Sequence, residues 1–163
     1  MNQNEPVNFF KNGITALQNG YSKSALVHLR KAFEHDSGNP FYVSYYGLAL
    51  ARAGDDSAMA EALCQEASRM KRDQSDFYVN LAEVYRRVGK FEDALWTLYN
   101  GLYFTQWNSC LVRALEEMGV RRPPVLSFLD RKHFLNRQLG KLRHRIEGQS
   151  RVSALESLWI ARS

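Results

Sequence analysis

The chain has 163 residues, 45% of them hydrophobic and 24% charged, with a formal net charge of +5; it is too apolar for a disordered segment and ordinary for a folded globular protein. The charge is uneven: residues 1–118 carry 12 Lys+Arg and 14 Asp+Glu, whereas residues 119–163 carry 10 and 3. Apolar runs such as Leu48 to Ala51 fall far short of the roughly 20 residues that a membrane-spanning helix needs.

Met1-Asn2-Gln3-Asn4-Glu5-Pro6 has neither the basic patch nor the apolar run of a secretory signal. Cys64 and Cys110 lie far apart with no metal-ligand spacing around either. They predict two buried, reduced thiols in a cytoplasmic protein.

The first helical unit begins near Pro6. Phe9, Gly13 and Ala16 fall on one face of a 3.6-residue helix, although Asn12 stands where a large apolar residue would pack. After Gly20-Tyr21, Ala25, Leu29 and Ala32 repeat the spacing on a second helix. The next unit runs from Pro40, with Val43, Tyr46, Gly47 and Leu50 on one face and Gly54 as its stop. Asp55-Asp56 lengthens the turn, and Ala60, Cys64 and Ala67 mark the following helix.

From Ser75 the pattern is cleanest. Tyr78, Leu81, Ala82 and Tyr85 share a face, Gly89 ends the helix, and Phe91, Ala94, Leu95, Leu98, Gly101 and Leu102 form its partner. Ala82, Ala94 and Gly101 are small where two helices must touch, since larger side chains would hold them apart. A further helix is expected from about Asn108 to Met118, capped by Asn108 or Ser109 and stopped by Gly119. Its face of Cys110, Leu111, Ala114, Leu115 and Met118 would shield the apolar side of the preceding unit.

Beyond Gly119 the composition changes. Pro123-Pro124 forbids helix and favours an extended path for Val125, Leu126, Phe128 and Leu129. Asp130 to Arg145 can form a helix with an apolar stripe of Phe134, Leu135, Leu139, Leu142 and Ile146. Gly148 breaks it, and Ser150 to Ala161 offers a last helix with Val152, Leu155, Leu158 and Trp159.

The recurring punctuation is Gly20-Tyr21-x-x-x-Ala25, Gly54-Asp55 before Ala60, and Gly89-Lys90-Phe91-x-x-Ala94, at a period of about 34 residues. Residues 6–118 thereby resemble the tetratricopeptide repeat family, with repeats at about 6–39, 40–74 and 75–108, a capping helix at 108–118 and the domain closing at 119. Residues 120–163 form a basic, Pro-containing extension with one or two helices. The resemblance implies an all-α, right-handed solenoid of antiparallel helix pairs that scaffolds protein complexes, with no catalysis and no cofactor. Such units cannot bury their apolar faces alone, so they stack and leave a concave surface.

In this family the first helix of each pair lines that surface. Carried over, its positions are Val7, Phe10, Ile14, Leu17 and Gln18; Phe41, Ser44, Leu48, Ala51 and Arg52; and Asp76, Val79, Glu83, Arg86 and Arg87. The groove is expected to grade from apolar to charged and to suit a protein or peptide with a hydrophobic anchor near an acidic group. Family members that clamp the C-terminal carboxylate of heat-shock chaperones need Lys and Asn in the first repeat and Asn in the second. Phe10, Ile14 and Tyr45 stand there instead, which argues against that partner class and leaves Asn80 as the one remnant.

The extension resembles the tail of a group of uncharacterised bacterial repeat proteins, through Pro124, Phe128, Leu129, Arg131, Leu135, Asn136, Gly140, Arg143 and His144. Asp130 and Phe134 depart from the small residue and the proline of that pattern. Two readings of this stretch compete. In one, its apolar faces pack on the solenoid or on another copy of the chain, giving a homo-oligomer. In the other, Arg121, Arg122, Arg131, Lys132, Arg137, Lys141, Arg143 and Arg145 bind nucleic acid or an acidic partner in a salt-dependent way. The first is preferred, because aromatic residues are not interleaved as a stacking platform for single strands requires. His28, His35, His133 and His144 form no zinc motif, and neither a phosphate loop nor a nucleophile elbow occurs, so no enzyme and no metal site are expected.

Overall fold

The computed structural model describes residues 5–119, and these are helical pairs joined by short turns. In chain order the elements are α1 (Glu5–Gln18), α2 (Ser22–His35), α3 (Pro40–Ala53), α4 (Ser57–Met70), α5 (Ser75–Arg87), α6 (Phe91–Phe104) and α7 (Ser109–Glu117).

Local chemistry sets the helix ends. Asn39 caps α3 by accepting from the Phe41 amide at 3.0 Å, with Pro40 at the first helical position, where its missing N–H costs nothing. Asp56 caps α4 through the Met59 amide at 2.9 Å. Gly54 and Gly89, read as stops, hold φ of 72° and 79°, a left-handed backbone that glycine adopts without a Cβ penalty. At the end of α6 no glycine is present. Gln106 and Trp107 take φ of 50° and 66° there, and the chain turns into α7 through the Asn108 cap on the Cys110 amide at 2.9 Å.

Within each pair a small residue lets the helices approach. A Cβ on Gly47 would lie 2.8 Å from Cys64 Sγ and 2.9 Å from the Ala60 carbonyl oxygen, so α3 rests directly on the backbone of α4. Gly101 receives the Tyr78 ring in the same way between α5 and α6. Around these crossings Leu29, Leu50, Phe77, Leu98 and Leu111 are wholly buried. Aromatic pairs continue the core between units, with Phe33 stacked on Tyr46 at 5.1 Å and Phe41 edge-on to Phe77 at 5.0 Å.

The direction of curvature follows from the contacts. Each helix packs on the next in sequence, and α1 with α3, α3 with α5 and α5 with α7 also touch. Among the described residues α2, α4 and α6 make no contact with one another. The array therefore bends towards its odd-numbered helices, which form the inner face.

Candidate functional site

The inner face begins with an aromatic group. Phe10 on α1 lies 5.0 Å from the Tyr42 ring and 5.4 Å, edge-on, from the Tyr45 ring of α3. The Tyr45 hydroxyl donates to Asp76 Oδ2 on α5 at 3.4 Å. Burial, reinforced by the Asp76 carboxylate, pushes that hydroxyl up to about 12.

Several residues that family register assigns to the groove sit inside the stack instead. Leu17 and Leu48 are only 5% and 3% exposed, and Ser44 is fully buried. The Ser44 hydroxyl accepts from Asn80 Nδ2 at 3.0 Å, and its carbonyl accepts from Cys64 Sγ at 3.4 Å. Asn80 is thus spent on a neighbouring helix. Because successive odd-numbered helices touch, positions pointing along the array are covered from both sides. Phe10, Ile14 and Val79 remain half-buried, and Phe41 is turned onto Phe77.

The middle of the face holds an ionic network across three helices. Arg52 on α3 donates to both oxygens of Glu83 on α5, at 2.9 and 2.7 Å, and to the Leu17 carbonyl of α1 at 3.1 Å. Arg87 Nε adds a third donor to Glu83 at 3.1 Å. Burial pushes the Glu83 carboxyl up, but Arg52 and Arg87 outweigh it and hold it below the usual carboxylate range. Arg52 is therefore committed to the fold.

At the far end a cleft of about 320 Å³ lies between α5 and α7. Leu98 forms its floor, Val79, Ala82, Ala114 and Met118 its apolar walls, and Glu83, Arg86 and Glu117 its polar rim. Arg86 is exposed and makes no ion pair among the described residues, whereas Glu117 lies 3.8 Å from Arg113. Sequence reasoning had given α7 only a shielding role, so Ala114, Glu117 and Met118 are additions to the site. A second depression of about 430 Å³ is larger, but it is lined by residues 20–24 of one turn with Arg52 and Ala53. It lies at the edge of the array and gathers no comparable set of side chains.

Two further findings complete the placement. Cys64 is fully buried, and burial drives its thiol well above the ordinary range, whereas Cys110, at the start of α7, is only half-buried. The expectation of two buried thiols thus holds for one. The basic residues Arg121, Arg122, Arg131, Lys132, Arg137, Lys141, Arg143 and Arg145 lie outside the described residues, as do the apolar stripes of 120–163.

No protein-family model matches the chain, and no curated protein does either. Solved structures do. The first tetratricopeptide domain of Spaghetti (RPAP3), bound to the HSP90 peptide SRMEEVD, superposes with a TM-score of 0.58 at 18% identity, over 73% of this chain and 96% of that one. The OM64 tetratricopeptide domain from Arabidopsis gives 0.60 at 14% identity, over 73% and 98%. The first such domain of human RPAP3, solved by NMR, gives 0.55 at 18% identity, over 73% and 98%. Superposition on these three domains over 73% of the chain shows its fold: the chain has the fold of a tetratricopeptide-repeat domain.

Proposed function

We propose that this protein is a non-enzymatic cytoplasmic adaptor that holds an extended segment of a partner polypeptide on the face formed by α1, α3, α5 and α7. The observation that carries this is the α5–α7 cleft, whose apolar walls and Leu98 floor adjoin an exposed Arg86 that makes no ion pair among the described residues. One aliphatic side chain of the partner fills the cleft, and a carboxylate beside it meets Arg86. A desolvated anchor next to a charge-assisted contact is how a few residues come to dominate such an interface.

The partner is not a free C-terminal carboxylate of the kind heat-shock chaperones present. Phe10 and Tyr45 occupy the places of the clamp, packed on each other, and Asp76 lies beside Tyr45 with a charge that repels an anion. Fluorescence anisotropy on the full-length protein tests the reading. Peptides with an internal Leu flanked by Asp or Glu should bind more tightly than the same peptides flanked by Lys. Arg86→Glu should invert the order. Equal binding of both sets would remove the proposal.

The charge of residues 119–163, 10 Lys+Arg against 3 Asp+Glu, favours a second reading in which this extension holds an acidic surface or nucleic acid. A gel-shift titration at two salt concentrations decides it, because phosphate contacts weaken steeply with salt. Binding that is absent at both concentrations ends that reading.

A further inference from the structure

The three outer helices α2, α4 and α6 can be compared position by position, because each buries its alanine in the first turn: Ala25, Ala60 and Ala94. Two, five and nine residues further on lie three positions that match across the outer helices. In α2 they hold Val27, Arg30 and Glu34, and in α4 Ala62, Gln65 and Arg69. In α6 they hold Trp96, Tyr99 and Tyr103. At these positions α2 and α4 hold no aromatic residue: Arg30, Glu34, Ala62 and Arg69 are exposed, Val27 is a lone exposed aliphatic, and Gln65 is half-buried and donates to the Tyr85 hydroxyl at 2.7 Å, whereas α6 holds three aromatic residues. Trp96 is 44% and Tyr103 75% exposed. Phe104 extends the patch, 5.2 Å from Tyr103 and stacked on Tyr78. Exposed Trp and Tyr at helical spacing are the residues that interfaces select and solvated faces avoid.

The charges at the two ends of α6 indicate the occupant. Its first turn carries Glu92 and Asp93, both exposed and without an ion pair among the described residues. At its other end the Arg72 guanidinium lies 5.6 Å over the Phe104 ring. At 100° per residue, Asp93 and Phe104 project from the same flank of the aromatic stripe. A two-fold axis that sets two α6 helices antiparallel keeps that flank common and reverses its direction. Trp96 of one copy then meets Tyr103 of the other, the two Tyr99 rings meet near the axis, and Asp93 lies beside Arg72 at both ends. A parallel pairing would leave both Asp93 at one end and both Arg72 at the other, with no contact between them.

We infer that the outer face of α6 is a homodimer interface, closed by a second copy of this chain through an antiparallel α6 pair. It is isologous, as two-fold contacts are. It is also distinct from the inner face, so it presents two copies of the groove to partners. Three to four aromatic side chains per copy form an interface at the small end of specific contacts, so the dimer is weak, with a dissociation constant of about micromolar order.

Sedimentation velocity on the full-length protein, from about 1 to 100 μM, should show a monomer–dimer equilibrium. Trp96→Glu and Tyr103→Lys should each raise the dissociation constant at least tenfold while circular dichroism stays unchanged, because neither side chain is in the core. Asp93→Arg alone and Arg72→Asp alone should each weaken the dimer, and the two together should restore it. A monomer throughout this range overturns the inference. So does self-association that all four substitutions leave intact, which would assign it to another surface. Failure of the charge-reversed pair to rescue overturns the antiparallel two-fold.

Discussion

Removing either end of the Arg52–Glu83 pair weakens the packing of α3 on α5. The guanidinium meets the carboxylate with two bonds at 2.7 and 2.9 Å, and the two side chains are 27% and 18% exposed. A fully exposed pair is worth about 0–1 kcal/mol. Breaking a fully buried one costs about 3–5 kcal/mol, because a charge is left without its partner. This pair lies between those limits, and Arg52 also loses its reason to point at the Leu17 carbonyl. Glu83→Ala should therefore cost about 2 kcal/mol, which for a domain of this size lowers Tm by about 8 °C. A double-mutant cycle of Arg52→Ala and Glu83→Ala, followed by helix signal in urea, should return a favourable coupling of more than about 1 kcal/mol. Single losses below about 0.5 kcal/mol with no coupling would mean that Arg52 is a free surface cation, and the separation of structural from ligand-binding arginines would fail.

The same carboxylate sets a pH dependence. Glu83 titrates lower folded than unfolded, so its contribution is present above the ordinary carboxylate range and is lost as pH falls through its depressed value; Glu83→Gln should flatten the acid limb of a stability–pH curve measured by urea midpoint. Gly47→Ala should destabilise by up to about 2 kcal/mol in the same denaturation assay. The overpacking against the Ala60 backbone costs about 1–3 kcal/mol, and the helix-propensity gain returns only about 1. With a thiol reagent under native conditions at pH 8, Cys110 should react and Cys64 should not, and both should react in denaturant. Mass spectrometry of the labelled peptides reads this directly.

The fold was legible because its grammar is local. Gly54 and Gly89 stop helices through their own backbone freedom, Asn39 and Asp56 cap through amides two and three residues on, and Gly47 and Gly101 sit at crossings that any pair of helices needs. The inner face was harder to read. Helical periodicity assigns Ser44 and Leu48 to one side of α3 but does not say that α1 and α5 close over that side. What decides exposure is the spacing between successive odd-numbered helices, a property of the whole array.

Part of that property was nonetheless in the numbers. Tyr45–Asp76 and Arg52–Glu83 are each separated by 31 residues. That is one repeat period less about one helical turn, one of the offsets at which residues on neighbouring odd-numbered helices meet; Ser44–Asn80, 36 residues apart, is an example of the other, about a full period. Applied along the chain, the shorter offset would have marked Arg52 and Glu83 as partners before any coordinates. The role of α7 had no such signal, since a terminal helix has no following repeat to set its register.

The central claim is that the α5–α7 end of the inner face receives a partner's side chain. Amide chemical-shift mapping of the full-length protein, titrated with an acidic peptide carrying one internal Leu, tests it most directly. Perturbations should concentrate on Val79, Arg86, Ala114 and Met118 and should disappear in Arg86→Glu. Shifts confined to α2, α4 and α6, or no shift at a peptide concentration of about 1 mM, would contradict it.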